Sequence, residues 1–329
     1  MKYRRFTRSL ILILQKSSIL VGGQAVIEGV MMRVPGAYAT AVRIPDQSII
    51  TERKPFISAA KRVKWLGFPI IRGIVSLFES MKIGMETLQF SADHAMPEPN
   101  KKTSAFWEKI YNTLTMLFSF ALALGLFAIL PLWLTTKVFA IEKTAWLFNL
   151  VAGLFRIFFF LVYLFLISRM KDIKRLFEYH GAEHKTVFAF EHGRDMTLEN
   201  IRPFSTFHPR CGTSFLFVTL INAILMYAVI DSVIMAFHGP ISLSTRLLVH
   251  LPLIPLVMGV GYEVLKWTSR HMNSPWIGWM TKPGLWLQRI TTSQPDDSQI
   301  ECALTALRTA FDKDWDAYTG KEYIAEAVD

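Results

Sequence analysis

The chain has 329 residues, 52% of them hydrophobic and 19% charged, with a formal net charge of +10. With a mean hydropathy of +0.31 it is too apolar for an ordinary soluble domain and reads as a membrane protein. Its two cysteines, Cys211 and Cys302, exclude a disulfide framework, and the scattered basic residues lack the aromatic-interleaved groove of a nucleic-acid binder.

Met1 to Lys16 is basic and then apolar from Leu10 to Leu14. That run is short for a signal-peptide core and no small-residue cleavage site follows, so the segment reads as a cytoplasmic amphipathic piece. Residues 21–56 read as β-rich, with strands Ala39–Ile44 and Ser48–Thr51 flanking the turn Pro45-Asp46-Gln47. Residues 57–92 have apolar positions at helical spacing, and Leu66 to Phe78 is apolar enough to lie in the interface or enter the bilayer. Residues 93–104 read as a linker.

Four stretches are long and apolar enough to span a bilayer: 115–134, 145–167, 213–237 and 247–264. Short connections make them two hairpins, and Pro252 and Pro255 predict a kink in the last. Of the 36 lysines and arginines, 32 fall in residues 1–111, 168–212 and 262–329, so the positive-inside rule places both termini and the middle loop in the cytoplasm. Anionic headgroups explain the charge better than any polyanionic partner. Arg156, in the middle of the second span, pairs with Asp231 of the third or snorkels to the surface. The fold class is therefore a mainly α polytopic membrane protein with four transmembrane helices and a small α+β cytoplasmic region. Its parts are an N-terminal α+β region (1–111), a first hairpin (112–167), a cytoplasmic loop (168–212), a second hairpin (213–264) and a helical tail (265–329). In that tail, Thr292 to Asp297 signals a helix start and Ile300 to Phe311 a helix.

The chemistry concentrates in Tyr179-His180-Gly181-Ala182-Glu183-His184-Lys185. Helix positions i and i+4 share a face, so His180 and His184 can reach one ion, with Glu183 placed as a base beside it. The spacing is H-x-x-E-H, the inverted zincin pattern, although two histidines hydrogen-bonded inside a packed domain would read the same. The helix carrying them, about 169–190, is expected to turn along the membrane interface. His208, Arg210 and Cys211 sit in a Pro/Gly turn before the third span, either as ligands or as part of a helix-entry cap. Glu263, at the end of the fourth span, is a candidate third ligand or a partner of Lys266. Glu28, among glycines and apolar residues, needs a partner, a metal or Arg33.

Taken in order, Gly22–Arg33, Arg72-Gly73, Tyr179–Lys185, His208–Ser214, Tyr262-Glu263 and the tail Leu287-Gln288, Thr291-Thr292, Pro295, Ile300-Glu301 resemble the bacterial YqhQ-like family, domain of unknown function 1385. The resemblance spans roughly residues 20 to 312. It implies a metal-dependent membrane enzyme of unstated substrate and groups Glu28, His208, Cys211 and Glu263 with the histidine pair as members of one site.

The resulting expectation is a hydrolase of the bacterial cytoplasmic membrane. In it His180 and His184 bind a divalent metal, zinc by preference, Glu183 is catalytic, and Glu263 or His208 completes the sphere. A lipid or a membrane-protein segment is the expected substrate. The rival expectation is a non-enzymatic membrane factor assisting insertion, assembly or quality control of other membrane proteins.

Overall fold

The computed structural model describes residues 18–19, 21–95, 105–139, 141–209, 211–271 and 275–325. The amphipathic piece expected at 1–16 and residues 96–104 of the expected linker lie outside them; residues 93–95 belong to a helix.

A two-residue strand, β1 (Ser18–Ile19), pairs in parallel with β6 (Ile324–Ala325) near the other end of the chain. Strands β2 (Gly22–Val26), β3 (Gly29–Val34), β4 (Ala37–Arg43) and β5 (Ile49–Pro55) form an antiparallel meander in that order. Side chains alternate between its faces, as the pleat requires. Val30, Met32, Val34, Ala37, Ala39 and Ala41 enter the main core, while Met31 and Tyr38 point the other way onto a smaller cluster with Ile83. The expected hairpin around Pro45–Gln47 is the β4–β5 turn.

Helices cover both faces. The four-residue α1 (Ala59–Arg62), capped by Ser58, and a 3-10 turn (Lys64–Gly67) lead to α2 (Ile71–Ala95), which supplies Ile83. The segment expected as one helix from residue 57 is thus broken at 63–70. Pro69 disfavours helical geometry before it, and Ile70 takes a positive φ of 68°.

The first apolar rod, α3 (Ala105–Leu124), continues through a π turn (Gly125–Ile129), α4 (Leu130–Leu134) and a second π turn (Thr135–Phe139). Next come α5 (Ala145–Ile167) and, after a break at 168–170, α6 (Lys171–Glu191). Helix α6 is an interior element of the α+β unit. Tyr179, Ala182, Val187, Ala189 and Phe190 bury it in the core between the sheet and α12 (Asp297–Phe311). Helix α12 starts where expected, Asp296 and Gln299 forming a capping box.

The short α7 (Leu198–Ile201) precedes α8 (Gly212–His238), α9 (Leu243–His250), α10 (Ile254–Arg270) and α11 (Pro275–Thr291). A final α13 (Trp315–Tyr318) packs on the core. Three stretches are long and apolar enough to cross a membrane: Thr113–Phe139, Ala145–Ile167 and Leu216–His238. A fourth crossing exists if α9 and α10 count as one, bent by 59°. The kink expected from Pro252 and Pro255 is this break at 251–253; proline withholds an N–H and clashes with the preceding turn.

Helix α10 packs on both α8 and α2, so the α+β unit and the apolar bundle share a seam. The seam is made close by small residues. A Cβ on Gly73 would meet Tyr262 Cβ at 2.8 Å and Gly259 O at 2.9 Å.

Candidate functional site

Helix α6 carries His180, Glu183 and His184 on one side, and the imidazole centroids lie 4.4 Å apart. Gly181 lets the chain after α11 press onto α6, since a Cβ there would stand 2.1 Å from Ser293 O. That contact brings the Thr291 carbonyl to 2.8 Å from His180 Nδ1. On the other side, the Thr206 carbonyl meets His184 Nδ1. Carbonyl oxygens only accept, so each Nδ1 carries a hydrogen, which in a neutral imidazole puts the lone pair on Nε2.

Cys211 is the N-cap residue of α8, so the first turn of an apolar helix aims its side chain. Its Sγ lies 3.2 Å from His180 Nε2. One ligand atom each from His180, His184 and Cys211 fall within 4.8 Å of one another. Among the described residues this is the group able to hold a metal ion, and its make-up fits one. Two nitrogens and a sulfur suit a borderline-soft divalent cation, and the histidine N–H groups are already oriented by carbonyls, as metal-binding imidazoles usually are.

Glu183 borders the group. Its Oε2 is 3.4 Å from His184 Nε2 and it is 5% exposed. Burial raises its pKa, only partly opposed by nearby His180 and His208 and by the Gly23 amide that donates to it. Gly23 has no room for a side chain: a Cβ would meet Met31 O at 2.3 Å and Glu183 Cγ at 3.0 Å. Strand β2 therefore forms one wall of the site.

His208 lies next to the group. Its ring centroid is 5.6 Å from that of His184, and its Nε2 is 3.4 Å from Glu191 Oε2. Reciprocal 2.7 Å bonds between its backbone and the Gln288 amide fix it to α11. Lys185 donates to the carbonyls of Arg202 and Phe204, both at 2.7 Å, holding the loop that presents Thr206 and His208; burial lowers its pKa.

Two expected members stand elsewhere. Glu263 lies outside the three-residue group, and Lys266 acts on its carboxylate. Arg72 grips both its oxygens and the Ile70 amide donates to it, so it locks α10 to the start of α2. Glu28 answers neither a metal nor Arg33. It occupies the β2–β3 turn with a φ of 52°, holds Arg175 through both oxygens and accepts from the Tyr179 hydroxyl at 3.2 Å. That pairing raises the Arg175 pKa, and burial raises that of Tyr179. Arg33 lies over the Phe56 ring instead. Arg210 lies outside the described residues.

The residues that sequence reasoning missed are backbone groups: the carbonyls of Thr206 and Thr291 and the amide of Gly23. The one signal for them was that Gly22-Gly23 and Thr291-Thr292 fell among the motifs of the resemblance.

Fold and site together define a largely helical protein with three to four membrane-length helices, whose α+β unit shares a His/His/Cys group with the start of one of them. The chain belongs to the family described as protein of unknown function (DUF1385), which matches residues 68–313. It is similar to the "Uncharacterized protein YqhQ" of Bacillus subtilis (strain 168), at 32% identity over 303 residues, 86% of this chain and 89% of that protein. No solved structure matches. His180, Glu183, His184, His208 and Cys211 all fall in the family's matched segment, whereas the sheet precedes it.

Proposed function

We propose that the chain is a membrane-embedded, metal-dependent enzyme of hydrolase type, acting at the cytoplasmic face of the bacterial inner membrane. The observation that carries this is the commitment of both Nδ1 atoms to carbonyls, which leaves both Nε2 atoms to other partners, with one ligand atom each from His180, His184 and Cys211 within 4.8 Å of one another. His180, His184 and Cys211 would hold a divalent ion, zinc by its donor set. A bound zinc ion supplies Lewis acidity for hydrolysis. Glu183 would be the general base, and burial raises its pKa above that of a free carboxylate. Gly23 keeps that carboxylate aimed, and His208, backed by Glu191, stands ready as a second proton carrier. His180 is only partly buried and gives the group its contact with the outside. The membrane-length part of α8 begins at Leu216, five residues beyond Cys211, which favours a lipid or a membrane-protein segment as substrate. The distribution of lysine and arginine supports the cytoplasmic assignment.

One observation favours a second reading. Glu183, His184 and Cys211 are all 8% exposed or less, and closed metal sites are usually structural. The same ion would then rivet a non-enzymatic membrane factor that assists other membrane proteins.

Elemental analysis of detergent-purified protein tests the shared part. About one zinc per chain is expected, with loss in His184→Ala and Cys211→Ser. A folded, metal-free wild type overturns both readings. Glu183→Gln separates them, since an enzyme keeps its metal and loses its function in cells, and a rivet keeps both.

A further inference from the structure

The apolar bundle holds a second group of charged side chains, far from the first. Asp231 of α8 is fully buried, as are Asn149 of α5 and Arg246 of α9. Arg246 and Asn149 both donate to Asp231 Oδ2, and His250 Nε2 lies 2.9 Å from Asp231 Oδ1. Both carboxylate oxygens are therefore taken. Arg246 also donates to the Glu142 carbonyl and lies 3.7 Å over the Phe148 ring, and the Glu142 carboxylate acts on it from the rim.

Arg156 of α5 receives none of this. It is 8% exposed, and no carboxylate lies at ion-pair distance from it among the described residues. Its guanidinium sits 5.7 Å over the Tyr227 ring, and its buried Nη1 has no hydrogen-bond partner. Arginine cannot shed its proton to relieve this. Arg246 takes the close pairing with Asp231 that the sequence offered to Arg156, and Asp231 and the Tyr227 ring act on the Arg156 guanidinium from beyond ion-pair distance.

Polar groups punctuate the bundle interior beside the apolar cluster of Leu132, Phe148 and Ala152. On α8 every buried residue among those described is polar: Thr219, Asn222, Tyr227 and Asp231. Asn149 Oδ1, His250 Nδ1 and Thr219 Oγ1 are, like Arg156 Nη1, buried without a partner. Water can satisfy the neutral atoms but does not neutralise a cation in a low-dielectric interior.

We infer that Arg156 binds a compact monovalent anion, a halide or small carboxylate, inside the bundle between α5 and α8. Two guanidinium groups, Arg246 and Arg156, face the one carboxylate of Asp231, which leaves one positive charge for one monovalent anion; a phosphate dianion would need a second. The site is independent of the metal proposal. Tyr227 lies 16 residues beyond Cys211 on α8, roughly 24 Å along a helix rising 1.5 Å per residue.

Equilibrium dialysis with radiolabelled chloride tests this on the full chain, purified in mild detergent with gluconate as the only other anion. Saturable binding of one chloride per chain is expected, competed by formate. It should weaken at least about tenfold in Arg156→Gln and persist in Cys211→Ser. Should Arg156→Gln fail to fold, Arg156→Lys keeps the charge and should retain binding at lower affinity. Wild type without saturable chloride or formate binding overturns the inference and assigns the polar interior to water. So does undiminished binding in a folded Arg156→Gln.

Discussion

Gly181→Ala places one methyl group where the fold has no space for it. The new Cβ would stand 2.1 Å from Ser293 O, 3.2 Å from Thr206 Cγ2 and 3.3 Å from Pro295 Cδ. The two side-chain contacts can give way by tenths of an ångström, but the carbonyl must retreat by more than an ångström to reach an ordinary contact of about 3.4 Å. Ser293 cannot retreat alone, because its amide donates to Phe177 O at 2.9 Å. Overpacking of this kind costs about 1–3 kcal/mol. The displaced segment also carries Thr291, whose carbonyl orients His180, and losing such a partner typically weakens metal affinity about 10–100-fold. Urea or thermal unfolding in detergent reads the first effect, and zinc titration against a coloured chelator reads the second. Wild-type stability together with wild-type zinc affinity would refute the reasoning, since it would mean that the 291–295 segment does not bear on α6.

Four further outcomes are expected. Arg246→Ala leaves Asp231 buried without its guanidinium and should cost roughly 3–5 kcal/mol, partly recovered in Arg246→Ala/Asp231→Asn; additive losses on unfolding in mixed micelles would argue against the pair. Gly73→Val should part α2 from α10 and release Arg72 from Glu263, at about 1–3 kcal/mol, with protease cutting near residue 70 as the readout. Cys302 is fully buried, donates to Ala41 O at 3.2 Å and has its thiol pushed up to about 12, so it should resist maleimide in the folded protein; Cys211 should react faster after chelation, and equal rates with and without zinc would count against its ligand role. Trp65 and Phe68 are well exposed beside Lys61, Arg62 and Lys64, at the entry to a helix packed on α10. A spin label at Phe68→Cys, on a Cys211→Ser background, should therefore be relaxed by oxygen dissolved in the bilayer and shielded from an aqueous nickel chelate.

Local signals were legible in the sequence. The β4–β5 hairpin, the capping box of α12 and the shared face of His180 and His184 each depend on spacings of a few residues. What was not legible depends on which distant segment arrives first. Glu263 looked free for a metal because Arg72, 191 positions away, is indistinguishable in sequence from any other interfacial arginine. Arg246 lies between the stretches expected as the third and fourth spans, 213–237 and 247–264. Only the folding of α9 back over α8 shows it buried on Asp231. His208 was the expected ligand and Cys211 a further site candidate, both beside Pro209. The start of α8 puts the thiol 3.2 Å from His180, while the imidazole lies 3.4 Å from Glu191.

The position of the thiol has a consequence for assembly. His180 and His184 belong to a helix buried in the α+β core, while Cys211 opens a helix of the apolar bundle. The loop between them, held by Lys185 and Gln288, and the tail carbonyl of Thr291 complete the setting. Three stretches, 180–185, 202–211 and 288–291, must therefore converge to build this setting, so an ion bound there would stabilise only the fully docked protein. Its contribution should appear in the docking of the two units and not in the helicity of either. Chelation is thus expected to loosen the seam of Gly73 against Gly259 and Tyr262 while far-ultraviolet circular dichroism stays unchanged. A loss of helical signal on chelation would place the ion in the folding of α6 itself and contradict this picture.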